Sequence, residues 1–141
     1  MTGNIRIASV AVATPPYCIN QAQAEAFLIK HYSDSLSQKS LSLVRKIFAH
    51  PSVLRRHLAV DDLECLVNEH PDSRIARYTH WTISLSSQAI VQALTQIGLT
   101  VDAVSGLVVN TCTGYICPGI STYLIEKLGL PDHIRAHDLV G

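Results

Sequence analysis

The residues best able to do chemistry lie closest together over 108–119, Val-Val-Asn-Thr-Cys-Thr-Gly-Tyr-Ile-Cys-Pro-Gly. An apolar, β-branched run delivers two hydroxyls and a thiol, those of Thr111, Cys112 and Thr113, to its C-terminal end. In an open parallel α/β sheet ligands bind outside the carboxyl ends of the strands, so these side chains stand where a ligand would meet them. Gly114 and the Pro118-Gly119 pair force tight turns before a helix begins near residue 120. On spacing alone the same pattern also fits an ordinary strand–turn–helix connection, and both readings stand at this level. Cys112 and Cys117 enclose four residues, Thr113, Gly114 and Tyr115 among them. That is wider than a zinc or redox Cys-x-x-Cys pair, and Cys18 and Cys65 form no second pair. No metal site is expected; four reduced thiols in a cytoplasmic protein are. The seven histidines are scattered, with no pair at the spacing of a helix-borne metal site.

Positioning such a loop takes an α/β framework, and the periodicity predicts one. A strand is expected over 5–13, stopped by Thr14-Pro15-Pro16, then a helix over 21–31 capped by Asn20. A polar link over 33–40 leads to a helix over 41–50, ended by Pro51. Residues 53–60 read as a short strand or an irregular segment, and 61–73 as a loop. The longest predicted helix is 74–97, with Gly98 at its C-terminal stop. Trp81 and Tyr78 on it are expected to be packing residues. A buried strand over 104–110, the loop, a helix over 119–128 closed by Gly129 and Pro131, and a strand over 134–140 complete the chain. This order predicts helices covering a mostly parallel sheet.

The chain has 141 residues, enough for one domain with a core, and its 11 Lys+Arg balance 11 Asp+Glu. Zero formal net charge gives no electrostatic case for nucleic acid or an anionic membrane surface. No apolar stretch is long enough for a membrane span, and the N-terminus carries no secretory signal. Charged residues are only 16% and apolar ones 48%, with a mean hydropathy of +0.22. That balance suits a chain that buries much of its surface, in part against something else.

Three stretches carry a resemblance: Thr-Cys-Thr-Gly-Tyr-Ile-Cys-Pro-Gly-Ile-Ser, then Tyr-Leu-Ile-Glu-Lys-Leu-Gly-Leu, then Arg-Ala-His-Asp-Leu-Val-Gly. They resemble the type III polyketide synthases, the chalcone and stilbene synthase relatives among the thiolase-like condensing enzymes. Ala13-Thr14-Pro15-Pro16 with Asn20-Gln21, Phe48-Ala49-His50 with Arg55-Arg56-His57, and 74–98 extend the likeness over nearly the whole chain. The resemblance implies an α/β fold, the N-terminal half of a thiolase-like fold. It also implies a homodimer and an acyltransferase that joins an acyl-CoA starter to malonyl-CoA through a Cys thioester.

Carried onto this sequence, the resemblance makes Cys112 and Thr113 lining of the substrate cavity. Cys117 matches a position, commonly Met in plant members, whose side chain crosses into the partner's cavity. Lys46, Arg55 and Arg56 fall in the region that binds the phosphates and pantetheine arm of coenzyme A, and the resemblance does not fix which of them does so. CoA thioesters enter as substrates, and no bound cofactor is implied. The family's nucleophilic Cys sits just beyond Gly141, with His and Asn later still. The 141-residue chain is therefore expected to hold no catalytic group, the C-terminal half being absent, and to be inactive alone. His137 lies in a strand-like segment, and the family's base comes from elsewhere. A ketoacyl synthase III or hydroxymethylglutaryl-CoA synthase type enzyme, or a non-catalytic thiolase-fold binding or dimerisation module, are the alternatives. The Thr-Gly-Tyr-Ile-Cys-Pro-Gly stretch favours the polyketide synthases.

Overall fold

The computed structural model describes residues 5–140. It divides into two compact units, residues 15–71 and residues 5–14 with 72–140.

The unit 15–71 opens with strand β1, Tyr17–Asn20, directly after the Pro15-Pro16 stop. Asn20 ends it and caps helix α1, Gln21–Tyr32. Its Oδ1 accepts from the Gln23 N–H at 2.8 Å, and Gln23 Oε1 accepts from the Asn20 N–H at 2.9 Å. This reciprocal box occupies two of the amide donors that a helix start leaves open. A 3₁₀ turn, Ser33–Ser35, leads to helix α2, Gln38–Phe48. It starts three residues before the sequence expectation, because Ser37 supplies a cap: its Oγ accepts from the Ser40 N–H at 3.1 Å. Strand β2, Arg55–Leu58, resolves the ambiguous 53–60 segment and pairs antiparallel with β1, Ile19 opposite Arg56. Ile19, Ala24, Leu41 and Val60 are the buried apolar residues of the unit 15–71.

A surface cluster ties α1 to the 3₁₀ turn Leu63–Leu66. Lys30 Nζ donates to Glu64 at 2.7 Å, and His31 Nε2 lies 3.2 Å from the same carboxylate. The Lys30 hydrogen bond holds the Glu64 carboxyl below its ordinary value of 4.5. A depressed carboxyl contributes stability above its unfolded pKa and loses it as pH falls through the folded one. The gap in urea midpoint between the wild type and Glu64→Gln is therefore expected at neutral pH and should close as pH falls below the ordinary carboxyl value and through the lowered one. A gap of constant size across that range would contradict this assignment.

In the other unit helix α3, Pro71–Gln96, begins with Pro at its first position, where the missing N–H costs no hydrogen bond. Strand β3, Gly106–Thr111, helix α4, Ile120–Leu128, and strand β4, Arg135–Val140, form a strand–helix–strand crossover with the strands parallel. Helix α4 stops at Gly129, which has φ +61°. The Leu130 N–H returns to Ile125 O at 3.0 Å and the Leu130 side chain is buried. That αL glycine with an apolar residue behind it is a Schellman-type stop. Ile120, Leu124 and Leu130 are the unit's buried apolar residues.

The fold is mixed α/β as expected, with a parallel pair in one unit and an antiparallel pair in the other. Two strand expectations need correction. Residues 5–14 make no ladder with any described strand, and Ile7, Val10 and Val12 are exposed. An alternating apolar run specifies a strand only where a neighbour accepts its hydrogen bonds. Strand β3 is not buried: its residues alternate between exposed and half-buried, and Val108 is 64% exposed. Leu139 and Val140 on β4 are exposed as well.

Candidate functional site

The unit 15–71 contains a cavity of about 330 Å³. Leu43 and Ile47 of α2 and Val53 give it apolar wall; Gln21, Lys46, His50, Ser52 and Arg56 give it polar groups. Leu43, Lys46, Ile47 and His50 recur at helical spacing, so α2 and its last turn present one stripe to the cavity. Arg56 arrives from β2, where alternation sends it to the cavity side and its neighbour Arg55 to the exposed side. Arg56 Nε donates to Gln21 Oε1 at 2.8 Å, and its guanidinium carbon lies 5.0 Å from the centre of the Phe48 ring.

Among the described residues neither Lys46 nor Arg56 has a carboxylate partner, unlike Lys30 and His31, which pair with Glu64. Two uncompensated cations beside an apolar wall suit a ligand with anionic and aliphatic parts, such as a phosphorylated chain. His50 adds a donor. The Ser52 backbone N–H points at His50 Nδ1 at 3.3 Å, with the Ser52 hydroxyl at 2.8 Å. A backbone N–H can only donate, so Nδ1 accepts and Nε2 carries the proton of the neutral ring.

Of the three basic residues proposed from sequence, the structure thus brings Lys46 and Arg56 together at one cavity and leaves Arg55 on the opposite face of its strand. Gln21, His50 and Ser52 line the same cavity and were not among the site residues expected from the sequence. The spacing of His50, four residues after Lys46, was the available signal.

The loop between β3 and α4 lies in the other unit and is fastened at both ends. The Thr113 N–H donates to Thr111 Oγ1 at 3.4 Å, the Thr111 and Tyr78 hydroxyls are 3.0 Å apart, and Tyr78 Oη donates to Gly114 O at 3.2 Å. With Tyr78 giving its proton to Gly114, Thr111 gives its own to Tyr78, and each donor is used once. Tyr78 is therefore more than a packing residue. At the far end Asp138 of β4 accepts from the Ser121 N–H at 3.1 Å and from the Ser121 hydroxyl. It caps α4 in place of Gly119, which stands at the N-cap without a side chain.

Both glycines are required by these neighbours. A Cβ on Gly114 would lie 2.5 Å from Tyr78 Cζ, and one on Gly119 would run into the Asp138 carboxylate. Gly114→Ala is expected to cost about 1–3 kcal/mol, the usual penalty for overpacking. Most of that loss should vanish in a Tyr78→Ala background, where the colliding ring is gone. Urea unfolding of the four chains checks this, and equal costs in both backgrounds would contradict it.

Cys112, Thr113 and Cys117 are all exposed on this loop, and Cys117 precedes Pro118 through a cis peptide bond. None of the three lines the small cavity of about 30 Å³ behind the loop, which Thr111, Tyr115, Ile116 and Asp138 help to enclose. All four cysteines of the chain are free. No helix among the described residues is long and apolar enough to cross a membrane.

No known family profile matches the chain. It is 28% identical over 120 residues to a phloroglucinol synthase of Pseudomonas fluorescens, covering 85% of this chain and 34% of that protein. It is also 28% identical over 101 residues to a 3,5-dihydroxyphenylacetyl-CoA synthase of Streptomyces toyocaensis, covering 70% and 26%. The match thus spans between about a quarter and a third of the length of these relatives. Among solved structures it is similar to a polyketide synthase of the brown alga Ectocarpus siliculosus, with a TM-score of 0.79, 24% identity, and 95% of this chain on 38% of that one. A bacterial type III polyketide synthase of Streptomyces coelicolor, tetrahydroxynaphthalene synthase, superposes with a TM-score of 0.78 at 22% identity, covering 94% and 38%. The chain has the fold of a portion of these polyketide synthases, somewhat over a third of their length, and its sequence is similar to those of the two synthases above.

Proposed function

We propose that this chain, similar to an N-terminal portion of type III polyketide synthases, forms the coenzyme A-binding part of an acyltransferase that condenses an acyl-CoA starter with malonyl-CoA. The observation that carries this reading is the cavity of the unit 15–71, where Lys46 and Arg56 stand without carboxylate partners beside an apolar wall. Coenzyme A has that composition: phosphates for the cations, and a long pantetheine arm for Leu43, Ile47 and Val53. One relative is named for making a CoA thioester, which supports the same ligand class.

In the complete reaction a Cys thiolate attacks the starter thioester and releases coenzyme A. Malonyl-CoA then loses CO₂, and the carbanion left behind attacks the enzyme-bound acyl carbonyl to form the new carbon–carbon bond. A thiolate suits this because it is nucleophilic near neutral pH and leaves readily. We place that Cys immediately after Gly141, with a His and an Asn further on to stabilise the enolate and the oxyanion. Cys112 and Thr113 would line the acyl cavity, Cys117 would reach across a dimer interface, and the protein would work in the cytoplasm. The exposed apolar residues of β3, β4 and 5–14 would be covered by the remaining two thirds of such a fold and by the second subunit.

The test pairs residues 1–141 with the same chain extended through the reading frame beyond Gly141. Each is incubated with an acyl-CoA and carboxyl-labelled malonyl-CoA. Release of labelled CO₂ and a condensed product is expected from the extended chain only. Turnover by 1–141 would overturn the placement of the nucleophile, and its absence from the extended chain would overturn the acyltransferase reading.

A further inference from the structure

We propose that Gln21 and Phe48 are positioning residues that hold Arg56 as a preset phosphate-binding fork, a role that rests on the coenzyme A reading above. An arginine on a short strand would ordinarily sample many rotamers and lose that freedom on binding a phosphate. Here two contacts restrict it in the absence of ligand. Gln21 Oε1 takes the Nε proton at 2.8 Å, and the Phe48 ring lies 5.0 Å from the guanidinium carbon. A cation over an aromatic face is attracted by the ring quadrupole, and the two contacts together fix the side chain's direction.

The contacts are themselves held by backbone. Gln21 directly follows Asn20, whose side chain closes the capping box of α1, and Asn20 pairs with Arg55 in the β1–β2 ladder. The residue that accepts from Arg56 is thus fixed relative to the strand that carries Arg56. Phe48 ends α2, two residues after Lys46. With Nε committed to Gln21, the two Nη groups remain as the donor fork, the geometry that meets two oxygens of one phosphate. Lys46 has no comparable support and acts as a flexible point charge. Preorganisation of this kind raises affinity by lowering the ordering cost of binding.

The probe is coenzyme A, titrated by calorimetry into the 141-residue chain. Gln21→Leu and Phe48→Leu are each expected to weaken binding roughly 3- to 10-fold, as the loss of one side-chain restraint would. Gln21→Glu should weaken it further, because its carboxylate neutralises Arg56 while keeping the contact. In an Arg56→Ala background the Gln21 and Phe48 substitutions should have no added effect, an outcome that a merely structural role would not produce. Unfolding midpoints of every variant identify any that fails to fold. Coenzyme A binding that depends on Arg56 but is indifferent to Gln21 and Phe48 would overturn this proposal alone. Losses that persist in the Arg56→Ala background would overturn it as well. Failure of the unsubstituted chain to bind coenzyme A would overturn the coenzyme A reading and this proposal with it.

Discussion

Replacing Lys46 and Arg56 together by alanine is expected to abolish measurable coenzyme A binding by the chain. In the proposed complex each would supply a charge-assisted hydrogen bond to phosphate, worth about 1.5–3 kcal/mol, or roughly 10- to 100-fold in affinity per residue. Arg56→Ala should cost more than Lys46→Ala, because a held guanidinium can donate twice to one phosphate while an ammonium on a free stem cannot. Arg55→Ala should change affinity by less than about 2-fold, since alternation along β2 turns it away from the cavity. Calorimetry of the four variants orders these effects. An Arg55 effect equal to that of Arg56 would mean that the ligand does not occupy this cavity.

The second large effect concerns stability. Leu124 of α4 is 1% exposed, the most fully buried large side chain among the described residues. Leu124→Ala removes its contacts in a unit with few other buried apolar groups and is expected to cost about 2–5 kcal/mol. Small domains hold only about 5–15 kcal/mol in total, so this variant should unfold well before the wild type in urea. Val108 gives the contrast. At 64% exposure, Val108→Ser should cost the isolated chain less than about 0.5 kcal/mol, the usual range for a surface change. In the polypeptide extended past Gly141 the same substitution should behave like a core change, because the proposed remainder of the fold covers that strand. Equal small costs in both proteins would remove the argument that the exposed sheet awaits a cover.

Local signals in the sequence carried a good share of this fold. Asn20 marked the start of α1, and Gly129 before Pro131 marked the end of α4, because caps and αL stops depend on residues a few positions apart. Ser37 and Pro71 are equally local start signals, yet both lie in polar stretches that read as loop, so α2 and α3 begin earlier than periodicity alone implied. Strand pairing was less legible. Residues 5–13 have the alternation of a strand, and the described residues offer them no partner. The parallel pairing of β3 with β4 followed from the intervening helix, whereas the β1–β2 pair joins segments some 40 residues apart that no local pattern links.

The candidate site divided along the same line. The loop 111–119 stood out through its glycines, but the reasons for them, Tyr78 on α3 and Asp138 on β4, are distant in sequence. Lys46 and Arg56 were visible as basic residues. Their convergence on one cavity with Gln21, and the absence of carboxylate partners for them among the described residues, belong to tertiary structure and required the fold.

The most direct test of the central claim is a titration of ¹⁵N-labelled chain with coenzyme A, followed residue by residue by NMR. Saturable shifts concentrated at Gln21, Lys46, Ile47, His50 and Arg56 are the predicted result. No shifts at saturating ligand, or shifts confined to the loop 111–119 and its neighbours on β4, would contradict it.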